Sequence, residues 1–169
     1  MRFFPAVPAF IPFALVSAQL AAQPVVATPA FEATKFFAGR TEGRGVLKVA
    51  LSPKRDVIVH GSGRVEPDGT LILDQVVERE GKQPEQRQWR IKEVAAGRYT
   101  GTLTDARGPV TGVVNGNVLN LRYRLKNGGL AAEQSLRLQP DGRTVLNRME
   151  VSKFGITVAE LEETIRKVD

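Results

Sequence analysis

Arg87 and Trp89 stand two residues apart. On a β-strand that spacing puts both side chains on one face. A guanidinium beside an indole can stack on the ring, or it can hold a ligand carboxylate or phosphate through paired N–H donors. Tyr123 falls in an alternating row with Leu119, Leu121 and Leu125, where its hydroxyl can meet a ligand in a cavity. Lys153 follows Met149 and Val151 at the end of the same alternation and can attract an anionic head group there. Tyr99 joins these four as a candidate ligand contact. Each residue also has a plainer role open to it. Arg87 can close a barrel end, the aromatic residues can fill a core, and Lys153 can be a solvated surface charge.

Other chemistries find no support in the chain. With 169 residues and no cysteine, disulfides, thiolate metal sites and a thiol nucleophile are excluded. His60 is the one histidine, so schemes needing two imidazoles are excluded as well. A catalytic or metal-bound histidine usually leans on a carboxylate. Asp56 is four residues away, about 13 Å along an extended strand. Gly61-Ser62-Gly63 lies on a strand without a base nearby, and no phosphate-cradling loop is present. Asp68, Asp74 and Asp141 are read as residues in or near turns, where Asp is favoured for its backbone hydrogen bonds. No metal and no cofactor is expected. The 24 Lys and Arg against 18 Asp and Glu are spread evenly. That pattern lacks the basic, aromatic-interleaved patch of a nucleic-acid binder and fits an anionic lipid surface better.

The elements that must position these residues read as short alternating segments between turn signals. They are 45–51, 56–65, 70–79, 86–94, 98–104, 109–115, 117–125, 132–138 and 143–153, set off by Pro67-Asp68-Gly69, Asn115-Gly116-Asn117, Pro140-Asp141-Gly142 and similar groups. Turns of roughly this frequency without long helices argue an antiparallel meander. Closure into a barrel would remove its edges. Leu71, Leu73, Gln75 and Val77 share one face, Gln134, Leu136 and Leu138 another. Gly61, Gly63, Gly101 and Gly112 leave room in the wall or kink it. Met149 and Val151 point inward, with Asn147 and Lys153 at the strand ends. Phe36 and Phe37 precede the first strand and are expected to plug or cover a barrel end. Residues 157–167 contain helix formers and a helical stripe, while Leu161 and Ile165 also share a strand face; propensity favours the helix.

Residues 1–22 differ in kind. Arg2 is the sole charge before Glu32, and the run from Phe3 to Ala22 is apolar with small residues toward its end. This is the pattern of a secretory signal peptide, cleaved before Gln19 or Gln23. An uncleaved anchor is the alternative, against which stand Pro5, Pro8 and Pro12. Cleavage removes Arg2 and lowers the net charge of +6 by one. Residues 23–35 read as a linker or arm, and 36–169 as one domain.

Several of these residues together resemble a known family. They are Phe36-Phe37-Ala38-Gly39 with Gly43 and Gly45, Asp68-Gly69-Thr70-Leu71, Arg87-Gln88-Trp89-Arg90-Ile91, Tyr99-Thr100-Gly101-Thr102, Arg122-Tyr123, and above all Asn147-Arg148-Met149 followed by Ser152-Lys153-Phe154-Gly155. In order and spacing the chain resembles the bacterial domain-of-unknown-function family numbered 3833, over about residues 36–167. The resemblance implies a lipocalin-like, calycin-type barrel and favours a closing strand over 157–167. It implies no catalytic residue, and it suggests lipid handling beside membrane-lipid-modifying enzymes. The lipid-anchoring cysteine of some relatives is absent.

The reading is therefore an all-β, single antiparallel up-and-down barrel of 8–10 strands behind a signal peptide, exported to the periplasm or medium. As a monomer it would hold a hydrophobic small molecule or lipid, with peripheral contact to an anionic membrane. An enzyme acting on an envelope lipid, which would need a buried acid–base pair, and a solid structural barrel are the alternatives.

Overall fold

The computed structural model describes residues 28–168. The expected leader and the start of the expected arm lie outside the described residues. Ten strands follow one five-residue helix, α1 (Ala33–Phe37): β1 (Gly39–Val49), β2 (Arg55–Val65), β3 (Leu71–Arg79), β4 (Glu85–Ala95), β5 (Arg98–Leu103), β6 (Val110–Asn115), β7 (Val118–Arg124), β8 (Ala131–Leu138), β9 (Thr144–Lys153) and β10 (Ile156–Lys167). Each strand pairs antiparallel with the next, and β10 returns to pair with β1, closing the barrel.

The alternation in the sequence decides what fills this barrel. Leu71, Leu73, Ile91, Leu119, Leu136, Val145 and Ile165 are buried in one connected core with Trp89. They cluster toward the end that carries the β2–β3, β4–β5, β6–β7 and β8–β9 turns. At that end α1 lies across the opening. Phe36 and Phe37 meet edge to face at 4.9 Å between ring centroids, and Phe31 packs on both at 6.0 and 6.4 Å. The expectation of a plug holds. The arm expected over 23–35 belongs to the core in its described part, because Phe31 is buried and its N–H donates to the Gly116 carbonyl at 2.9 Å. Lys167, the last residue of β10, donates to the carbonyl oxygens of Phe36 at 3.1 Å and Ala38 at 2.5 Å. A cation there satisfies acceptors that a helix C-terminus leaves open and ties the plug to the closing strand.

Residues 156–167 form a strand because two barrel edges compete for them. β9 offers partners from Thr144 to Lys153 and β1 from Thr41 to Val49. Backbone pairing on both sides outweighs the local helix preference. Leu161, Glu163 and Ile165 turn inward, and Glu160 faces Arg148 outside. Asp68 and Asp141 behave as turn residues, accepting from the Thr70 N–H and from the Arg143 and Thr144 N–H groups, each at 2.9 Å. The bonds from Thr70 and Lys92 hold the Asp68 carboxyl down to about 2. Asp74 departs from the turn reading: it lies within β3 on the outer wall, bonded by Gln88 at 2.6 Å and Arg64 at 2.9 Å.

Among the described residues two non-glycine residues adopt positive φ, Leu51 at 62° and Phe154 at 52°. Both sit at hairpin tips of the end opposite the plug, β1–β2 and β9–β10. Left-handed backbone costs a residue with a Cβ about 1–2 kcal/mol.

Gly63 on β2 is where the plug meets the wall. A Cβ there would overlap the Phe37 carbonyl oxygen, with Ala38 just beyond. Gly63→Ala is expected to lift α1 from the barrel end and to destabilise the protein by about 2–3 kcal/mol, measured by urea unfolding; an unchanged midpoint would show that the plug is not seated on β2.

Candidate functional site

Polar side chains cross the lumen beneath the packed core. The β3–β4 register sets Gln75 opposite Arg87 and Leu73 opposite Trp89. The Gln75 side-chain oxygen accepts from Arg87 Nε at 2.8 Å and from Trp89 Nε1 at 2.9 Å. The Arg87 guanidinium stands 5.9 Å from the Trp89 ring centroid. Trp89 in turn meets Tyr123 edge to face at 5.5 Å. The Tyr123 hydroxyl reaches Gln134 Oε1 at 3.4 Å and Met149 Sδ at 3.3 Å. Burial pushes the Tyr123 phenol up to about 12, so at neutral pH it is a donor.

Across the barrel, β9 and β10 pair Asn147 with Glu163. Asn147 Nδ2 donates to Glu163 Oε2 at 2.8 Å, and the Asn147 oxygen is buried without a partner. Asn147, expected at a strand end, is instead buried inside the wall, where the register with β10 sets Glu163 opposite it. Gly43 and Gly45 on β1 make room for Glu163, since a Cβ at either would run into that residue. Burial raises the Glu163 carboxyl above its usual 4.5; the Asn147 hydrogen bond and the Arg87 charge oppose the shift.

This polar layer divides the lumen. On the plug side the space left among Leu71, Trp89, Leu121, Leu136 and Glu163 is about 30 Å³. On the other side lies a cavity of about 560 Å³. Its walls are Leu47, Val77, Leu103, Leu125, Leu130, Met149, Val151 and Val158, and Arg79, Glu85, Arg87, Asp105, Tyr123 and Lys126 also line it. Arg79 pairs with Glu85 across the β3–β4 hairpin, yet its Nε is buried without a partner. An unsatisfied buried donor in a cavity wall is a ready contact for a ligand acceptor.

Of the residues singled out in the sequence, Arg87, Trp89 and Tyr123 come together. Arg87 and Tyr123 line the cavity, and Trp89 backs them from the packed side. Tyr99 lies elsewhere, buried near the plug with its hydroxyl 3.4 Å from Glu93 Oε2. Lys153 is exposed at the open end, 5.8 Å from the Phe154 ring centroid. Arg79 was missed, although the row Leu71, Leu73, Gln75 and Val77 reaches it in one more step. His60 stands on the outer wall, 3.9 Å from Glu42 and 3.8 Å from Glu78. Those carboxylates come from neighbouring strands and no spacing along β2 reveals them. No group of three metal-ligating side chains occurs among the described residues.

A closed ten-stranded meander, plugged at one end and hollow at the other, is a lipocalin-like barrel. The chain belongs to the family described as "Protein of unknown function (DUF3833)", which matches residues 13–167. No curated protein matches it. Among solved structures it is similar to the S-type phycobiliprotein lyase CPES from Guillardia theta. The TM-score is 0.63 and the identity 7%, with 80% of this chain and 90% of that one covered. It is also similar to a protein of unknown function from the DUF3598 family of Nostoc punctiforme (TM-score 0.62, 15% identity, 88% of this chain), of which it spans 54%. Rv2717c from M. tuberculosis aligns with TM-score 0.60 and 14% identity over 79% of this chain and 93% of that one. At these identities the likeness is one of fold.

Glu163 gives the polar layer a pH signature. A folded carboxyl that holds its proton more tightly than the unfolded chain adds stability below the unfolded value, and that stability is lost as pH rises through the folded one. Wild-type stability should therefore decline upward from about 4.5. Glu163→Gln keeps an acceptor for Asn147 and should remove this part of the decline, so it is the more stable form near neutrality. Urea midpoints of both proteins across the range check this; parallel curves would contradict it.

Proposed function

We propose that the chain is an exported binding protein that holds one hydrophobic ligand with a polar, acceptor-bearing end, a fatty acid or a lipid acyl chain, in the open half of its barrel. The carrying observation is the cavity itself. Its volume of about 560 Å³ falls among those of small-molecule sites, roughly 300–1,000 Å³, which are mostly apolar with a few placed polar groups. Arg87, Arg79 and the Tyr123 hydroxyl supply those groups at its wall. Burial of an apolar chain against Leu103, Leu125, Met149 and Val151 would drive association, and the two guanidinium groups would orient the polar end. Glu163, the buried carboxyl with a raised pKa, faces the packed half rather than this cavity, which favours binding over acid–base catalysis on the ligand. The apolar leader supports export, and the family's suggested place beside membrane-lipid modification supports a lipid as cargo.

Trp89 is the chain's single tryptophan, and its ring rests on Tyr123, so its fluorescence reports on the site. Titration with a long-chain fatty acid is expected to give a saturable change. Arg87→Gln should weaken binding of the acid by about tenfold or more, the scale of a lost charge-assisted hydrogen bond. It should leave the methyl ester of the same acid nearly unaffected. Absence of any saturable change with acid and ester, together with a native mass that matches the bare chain, would sink the proposal.

A further inference from the structure

The cavity opens at the end that carries the β1–β2, β3–β4, β5–β6, β7–β8 and β9–β10 hairpins. Two features distinguish that end. The three most exposed large hydrophobic side chains of the described residues are all there: Leu51, fully exposed, Phe154 at 92% and Ile156 at 70%. They are neighbours, because the Ala50 N–H donates to the Val158 carbonyl at 2.8 Å and Ile156 pairs with Lys153 beside Phe154. Two of the three, Leu51 and Phe154, are also the residues with strained positive φ. Glycine or asparagine would serve those turns better, and neither side chain is buried. Beyond the exposed contact of Phe154 with Lys153, folding gains little from a leucine and a phenylalanine there, so their main contribution lies outside the folded chain.

The second feature is charge. Lys54, Lys82, Arg107, Lys126 and Lys153 are exposed on or beside the same hairpins, against Glu80, Glu85 and Asp105. Lys54, Lys82, Arg107 and Lys126 have no ion-pair partner among the described residues. Toward the plugged end Arg64, Lys92 and Arg90 are matched, by Asp74 at 2.9 Å, Asp68 at 3.1 Å and Glu66 at 3.4 Å, whereas Arg98, Arg137 and Arg166 are exposed there without an ion pair among the described residues. The turns of the plugged end carry Glu66, Asp68 and Asp141 together with Arg143. The hairpins of the open mouth therefore carry a net positive charge, and four of their cations are unpaired among the described residues.

We infer that the open rim docks on an anionic lipid bilayer, with Leu51, Phe154 and Ile156 entering the interface and the lysines and Arg107 lying over the head groups. Apolar tips ringed by cations match a surface that is apolar inside and negatively charged outside. An acidic protein would complement the cations but offers no reason for unburied apolar side chains on strained turns. Docked in this way, the cavity mouth faces the membrane. The inference concerns the rim alone and stands whether or not the cavity holds a lipid.

Flotation of the full-length protein, as purified from its host, with vesicles tests it. One set contains one part phosphatidylglycerol to three parts phosphatidylcholine, and the other phosphatidylcholine alone. The anionic set is expected to retain about tenfold more protein, and that excess should fall away as added salt shortens the screening length from about 30 Å to about 3 Å. The paired substitution Leu51→Asn and Phe154→Asn should reduce retention by about tenfold. It should also melt no lower than the wild type, since asparagine tolerates positive φ; loss of binding then cannot be ascribed to unfolding. Lys54→Glu with Lys126→Glu should abolish the preference for anionic vesicles. The wild type and variants share every residue outside the rim, so the differences among them report on the rim. Equal retention by the two vesicle sets, or asparagine variants that float as the wild type does, would overturn the inference.

Discussion

The Gln75 side-chain oxygen accepts two hydrogen bonds inside the barrel, one from Arg87 and one from Trp89. Most of the architecture can be traced from that atom. A guanidinium half-buried in the lumen must be satisfied or it destabilises the fold. Gln75 satisfies part of it and at the same time fixes the indole that Tyr123 packs against. Tyr123 leads on to Gln134 and Met149, and the Arg87 charge acts across the lumen on Glu163. The result is a polar layer at mid-barrel that neither half can cross without leaving donors or acceptors unpaired.

That layer accounts for the asymmetry of the molecule. Above it, Phe31, Phe36 and Phe37 close the end and the aliphatic rows from β3, β7, β8 and β10 meet, leaving almost no space. Below it the chain offers Val77, Leu103, Met149 and Val151 at the wall but nothing to fill the centre. Glycine shapes both halves. Gly63 lets the plug sit down on β2, while Gly43 and Gly45 let the Glu163 side chain lie against β1. A residue with a Cβ at these points would shift the plug or the polar layer.

Much of this was legible in the residues. Turn groups such as Pro67-Asp68-Gly69 and Asn115-Gly116-Asn117 mark the strand ends, and alternation put Leu71, Leu73, Gln75 and Val77 inward, where they are. Arg87 and Trp89 share a face as their spacing requires. Harder to see were features that depend on neighbouring strands. Asn147 reads as a strand end until β10 sets Glu163 opposite it. His60 looks partnerless until β1 and β3 bring Glu42 and Glu78 beside it. For Glu160 to Lys167, local preference and strand pairing disagree, and pairing on two sides prevails. Tyr99 reads like Tyr123 in sequence, but β5 carries it toward the plug. Whether a barrel is hollow is a sum over ten strands, which no single segment announces.

The lumen is divided into a packed half and a hollow half, and on the proposed function the hollow half receives a ligand. Electron density from crystals of protein purified from its own host tests it most directly. The account predicts elongated density between Leu103, Leu125 and Met149, with a polar end toward Arg87 or Arg79, and none among Leu71, Leu136 and Ile165. A cavity filled only by ordered water or by the protein's own side chains, or density beneath α1 instead, would contradict it.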